Sequence, residues 1–154
     1  MKTFKTHYKS PIGTVEIEGP QDSILNLNFV DQAHSDDDDL PSCIKECAKQ
    51  IDEYFQGNRK TFSLNLIMQG TDFQKSVWRQ LRKIPYGTTA SYGEVAVAIG
   101  NPTACRAVGS ANGKNPISII VPCHRVIGSD GTLTGYGGGL WRKEWLLKHE
   151  KDNR

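Results

Sequence analysis

Residues 118–131 read SIIVPCHRVIGSDG, and within them Cys123 is followed at once by His124 and Arg125. A thiol is a useful nucleophile only as its thiolate, which a nearby imidazole or guanidinium stabilises electrostatically. The PCHR run places both within two residues of one sulfur. In an extended segment neighbouring side chains point to opposite faces, so His124 is expected to reach Cys123 through a bridging water. A histidine acting as a base also needs an orienting partner. Glu150, in the KHE of the last helical stretch, is the candidate. A cysteine taken alone is more often a buried structural thiol. Here, however, an apolar run precedes it and GYGGG follows, which predicts a pocket floor with close backbone approach.

The other thiols read differently. Cys43 and Cys47 form a C-x-x-x-C on a helix, where a zinc site would need two more ligands and only His7 and His34 are near in sequence. Two small core thiols are the preferred reading, and no metal or organic cofactor is expected. Cys105 sits beside Arg106 in the second half. Nothing marks the chain as secreted, so all four cysteines are expected reduced. MKTFKTHYKSPIG carries no hydrophobic stretch after its basic residues, and no apolar run is long enough to cross a bilayer. An intracellular protein without a membrane partner is expected, cytoplasmic in a prokaryote or nuclear in a eukaryote.

The net charge of +2 conceals an asymmetry: residues 1–71 carry −4 and residues 72–154 carry +6. An acidic half joined to a basic one suggests that the second half faces a polyanion.

These residues need a frame. TFKTHYKS, TVEIEG and SILNLNFV alternate as strands between PIG and GPQD turns, and AHSDDDD reads as a solvated loop. A helix follows from Leu40, with Pro41 in its first turn and Ile44, Cys47, Ile51, Tyr54 and Phe55 on one face; KTFSLNLI reads as a further strand. DFQKSVWRQLRKI predicts a helix with Phe73, Val77, Trp78, Leu81 and Ile84 on its stripe. SYGEVAVAI starts another, with Ser91 and Glu94 as a capping box. After the GNPT turn, TACRAVGSANGKN is a third short helix, and the last two together resemble a helix-turn-helix. PISIIVP reads as a buried extended strand. LWRKEWLLKHE reads as a closing helix with an apolar face of Leu140, Trp141, Trp145 and Leu147. The expected fold is an α/β (α+β) N-terminal domain, residues 1–71, with a small antiparallel sheet and helix. A mainly α-helical C-terminal domain containing the helix-turn-helix follows, residues 72–154.

From Phe73 to Glu150, and most specifically in NPISIIVPCHRVIGSDGTLTGYGGGLWRKEWLLKHE, the sequence resembles the O6-alkylguanine-DNA alkyltransferases. Members of that family move an alkyl group from guanine O6 in DNA onto their own cysteine. The resemblance implies that Cys123 is the acceptor, that His124 holds the water taking the thiol proton, and that Glu150 orients the imidazole. It implies that Asn115 ties the preceding turn to the active-site segment and that Tyr92 donates to the purine N3. Arg106 would be the finger that fills the gap left by a flipped nucleotide, with Ser91, Ala107 and Gly109 also on the DNA face. Val126, Tyr136, Gly137 and Gly138 would line the base pocket. The implied partner is double-stranded DNA containing alkylated guanine, approached from the minor groove by a monomer that can cluster along DNA, with alkylated thymine O4 a second substrate. Two other readings are weighed: a damage sensor that binds without transfer, and a cysteine hydrolase or redox thiol protein. The first would lack the acceptor cysteine. The second would need a histidine in direct contact with the sulfur or a second thiol nearby.

Overall fold

Alternating residues in the first third pair as an antiparallel meander of β1 (Phe4–Ser10), β2 (Gly13–Gly19) and β3 (Asn26–Val30), in that spatial order. The structure, a computed structural model, describes residues 1–32 and 35–154. Ala33 and His34, part of the expected acidic loop, lie outside the described residues. Two units form, Met1–Met68 and Gln69–Arg154. In the first, Tyr8 pairs with Val15, Thr6 with Ile17 and Ile17 with Leu27, so these residues share one face of the sheet. Helix α1 (Ser42–Phe55) covers that face, burying Ile44, Cys47, Ile51 and Tyr54. Tyr8 stacks on Phe55 and its hydroxyl donates to Asp52 at 2.8 Å.

Two expectations fail in this unit. Pro41 is the N-cap, with extended ψ 152, and not a first-turn residue. KTFSLNLI makes no strand; it touches the sheet through a single parallel bridge, Leu66 to Ile24. The reason lies in α1. Buried Gln50 accepts from the Ser63 N–H at 3.0 Å and donates to the Ser63 carbonyl at 3.3 Å, taking backbone groups that a ladder would have used.

The second unit is mainly helical. Helix α2 (Asp72–Leu81) starts at a Thr71–Gln74 capping box, and α3 (Tyr92–Ala98) at the expected Ser91–Glu94 box. Helix α4 (Cys105–Gly113) completes the helix-turn-helix and is fixed to α2 by Trp78, whose indole N–H donates to the Ala111 carbonyl at 2.8 Å. A two-residue parallel pair, β4 (Ala90–Ser91) with β5 (Val126–Ile127), draws the start of α3 alongside the chain that leaves Cys123. Helix α5 (Leu140–Asp152) closes the unit.

PISIIVP is buried, as expected, but it is not a strand. Ile119 has φ 71, a left-handed conformation that costs a β-branched residue of order 1–3 kcal/mol. The segment folds into tight turns instead, with Val121 N–H donating to the Ile117 carbonyl and Ile120 N–H to that of Ser118. The buried face of α5 also differs from expectation. Lys143, Leu146 and Glu150 point inward, while Leu140 and Trp141 are exposed. A helix that must deliver two charged side chains to an interior site cannot turn its most apolar stripe there.

Candidate active site

Cys123, His124 and Arg125 form a single 3₁₀ turn, not the extended segment expected. Asn115 stitches the approach to it: its amide donates to the Val121 carbonyl at 2.8 Å, and its side-chain oxygen accepts from the Ile117 N–H at 3.0 Å. Those two bonds hold the chain through the strained Ile119. Asn112, on α4 and given no role from sequence, is buried and donates to the Cys123 carbonyl at 3.3 Å.

Glu150 gathers the turn's polar side chains. His124 Nε2 lies 2.6 Å from its Oε2, Arg125 Nε donates to Oε1 at 2.8 Å, and Arg125 Nη2 donates to Oε2 at 3.1 Å. The Gly87 N–H adds a fourth contact at 3.2 Å. Gly87 has φ 75, which a residue with a Cβ rarely adopts, and its carbonyl accepts from Arg154 Nε at 3.1 Å. Arg125 also donates to the Ile84 carbonyl at 2.7 Å. Its guanidinium is therefore the counter-ion of Glu150 and not, as the bare PCHR run suggested, of the sulfur.

The electrostatics follow. Burial opposes the Glu150 charge, but the hydrogen bonds from His124 and Arg125 and the Arg125 charge outweigh it and hold the carboxyl below its usual range. Burial pushes His124 down, toward the neutral imidazole. An ionised carboxylate can only accept, so the His124 proton sits on Nε2 and donates to Glu150. Nδ1 is left with its lone pair, and it is buried without a hydrogen-bond partner among the described residues. This side of the ring can accept a proton. Burial raises the Cys123 thiol, opposed by the Asn115 side chain and the Lys143 charge. As a residue Cys123 keeps 5 % exposure, where His124 has none.

Lys143 is a buried charged side chain beside the site that sequence reasoning missed. It is fully buried, its ammonium donates to the Thr134 carbonyl at 2.7 Å, and it stands 5.9 Å from the Tyr92 ring centroid. Tyr92 meets the same loop residue, accepting from the Thr134 hydroxyl at 3.0 Å. The signal lay in α5. Lys143 and Leu146 precede Glu150 by seven and four residues, which places all three on one helical face.

The remaining expected residues fall in two groups. Tyr92, Arg106 and Gly109 border a groove of about 370 Å³ together with Cys105, Thr134 and Gly135. Arg106 and Ala107 are exposed on α4, and Ser91 caps α3. Val126 is buried on β5, and Tyr136, Gly137 and Gly138 lie in the loop before α5. A Cβ placed on Gly137 would meet nothing within 4 Å. Burial raises the Tyr136 phenol, and the charge of nearby Cys123 adds to that rise.

Two family models match along the chain. Residues 3–68 match the ribonuclease-like domain of 6-O-methylguanine DNA methyltransferase, and residues 72–152 match its DNA binding domain. The chain belongs to the 6-O-methylguanine DNA methyltransferase family. Among methyltransferases of this family, the methylated-DNA–protein-cysteine methyltransferase of Methanosarcina barkeri is 49% identical over 150 residues, covering 94% of this chain and 95% of the relative. That of Mycobacterium leprae is 50% identical over 146 residues, covering 92% and 88%. The crystal structure of the Mycobacterium tuberculosis O6-methylguanine methyltransferase superposes with a TM-score of 0.90 at 45% identity, covering 99% of this chain and 95% of that one. The Mycobacterium tuberculosis protein solved in complex with DNA gives 0.88 at 48% identity, covering 96% and 92%.

Proposed function

We propose that this methyltransferase repairs DNA by moving the alkyl group of O6-alkylguanine onto Cys123, once per molecule. One observation carries the reading: a near-buried thiol on the same 3₁₀ turn as a histidine whose Nε2–H is fixed by Glu150 and whose Nδ1 is open to accept a proton. A water between Sγ and Nδ1 takes the thiol proton to His124, and Lys143 and Asn115 favour the thiolate that remains. The sulfur attacks the alkyl carbon, an S–C bond forms, the O6–C bond breaks, and its electron pair leaves on guanine. Tyr92 donates to N3 of the purine and stabilises that leaving group. The thioether has no easy leaving group, so a second cycle does not follow. Lesion removal that stops at one equivalent per protein supports this reading; continued turnover contradicts it.

The lesion lies inside the base stack, so the nucleotide must be extruded at a cost of a few kcal/mol. Arg106, exposed at the groove, fills the gap as α4 enters the minor groove of the duplex, with Ser91, Ala107 and Gly109 along the same face. Arg106→Ala is therefore expected to slow single-turnover repair of duplex by roughly tenfold or more. Attack on free O6-alkylguanine base should be unchanged, and equal slowing of both substrates would reject the finger role.

Val126, Tyr136, Gly137 and Gly138 form the base pocket. The open space beside Gly137 accepts alkyl groups larger than methyl. Gly137→Ala should reduce the benzyl-to-methyl rate ratio by about tenfold, the scale on which one methyl group discriminates between competing substrates. Competing the two lesions in one tube measures it.

A further inference from the structure

Outside the repair site, the first unit holds a largely buried imidazole between two carboxylates. His7 on β1 has Nε2 3.0 Å from Glu16 Oε2 on β2, and Nδ1 3.0 Å from Asp36 Oδ1 in the segment between β3 and α1. A neutral imidazole has one N–H and can donate to only one of these carboxylates, whereas an imidazolium donates to both.

The same segment covers the strand. Asp36 Oδ1 also accepts from the His7 backbone N–H at 2.9 Å, Asp37 Oδ2 accepts from the Lys5 N–H at 2.8 Å, and the Asp37 N–H donates to the Lys5 carbonyl at 3.0 Å. Because β1 is the edge of the sheet, these are the groups it would otherwise offer to a foreign strand. We propose that His7 is a proton-operated latch, whose imidazolium clamps residues 36–37 onto the edge of β1 and whose deprotonation releases them and opens that edge.

The charges on this face of the sheet support one direction of response. Besides Glu16 and Asp36 they are Lys5, 3.9 Å from Glu16, Lys9, two residues on from His7 along β1, and Glu18, opposite Lys5 in register; Asn28, opposite Glu16 on β3, is uncharged. Helix α1 lies on the other face with Tyr8. Burial lowers His7, but the hydrogen bonds and charges of Asp36 and Glu16 outweigh it and raise it above its ordinary 6.5. The clamp is thus at full strength below 6.5 and is lost as pH rises through the raised value.

Hydrogen exchange of the full chain tests the latch, with each amide corrected for its intrinsic rate. Protection of the Lys5 and His7 amides should fall about fivefold between about pH 6 and about pH 9, with little change at Ile17 in the β1–β2 ladder. In His7→Gln the fall should disappear. Protection independent of pH, or a fall that persists in His7→Gln, overturns the proposal. Asp36→Asn supplies a second reading: the His7 titration followed by NMR should move to lower pH, and an unmoved midpoint is equally fatal.

Discussion

Replacing Cys123 with serine is expected to leave DNA binding intact while transfer falls by at least about a thousandfold, the scale on which loss of a nucleophile acts elsewhere. A hydroxyl has nearly the volume of a thiol, so the turn and its bonds to Asn112 and Asn115 should persist. What is lost is ionisation: Lys143 and Asn115 favour a thiolate but cannot make an alkoxide at neutral pH. The side chain is almost wholly buried, so its exchange should change DNA affinity by no more than about twofold. Titration of a labelled duplex together with single-turnover kinetics separates the two effects. Loss of binding along with transfer would mean that Cys123 holds the fold rather than performs the chemistry.

Glu150→Gln should produce the second large effect, on stability and rate together. The amide can still accept from His124, but it leaves Arg125 as a buried cation without its counter-charge. Breaking a buried pair from one side costs about 3–5 kcal/mol, which predicts a fall in Tm of roughly 10 °C. Transfer should slow by about a hundredfold as the imidazole loses its fixed tautomer. The pH dependence carries a sign. A carboxyl held low in the folded state contributes stability above its unfolded value near 4.5, and that contribution is lost as pH falls toward the depressed folded value. Wild type and Glu150→Gln should therefore converge in stability under acid. A gap that widens below pH 4.5 would show that Glu150 is not ionised in the fold.

What the sequence made legible was local. Ser91 and Glu94 announce α3 because a capping box needs only residues three apart, and the α2 stripe announces its burial by period. The meander reads from alternation. What stayed hidden depends on distant partners. KTFSLNLI has strand composition, yet Gln50, thirteen residues before Ser63, claims its backbone. Nothing in ISIIV distinguishes a strand from turns held by Asn115 around a left-handed Ile119. The inward face of α5 violates hydrophobic patterning because it serves the site, so Lys143 was hidden by the rule that located its neighbours. Cys123, His124 and Glu150 were singled out by residue chemistry, and the family resemblance then gave each its role.

The central claim is that the sulfur of Cys123 keeps the alkyl group. Intact mass and peptide mapping of the protein after incubation with an oligonucleotide bearing one O6-methylguanine test it most directly. A single methyl group on Cys123, in proportion to guanine restored, is the predicted result; restored guanine with an unmodified Cys123 would contradict it.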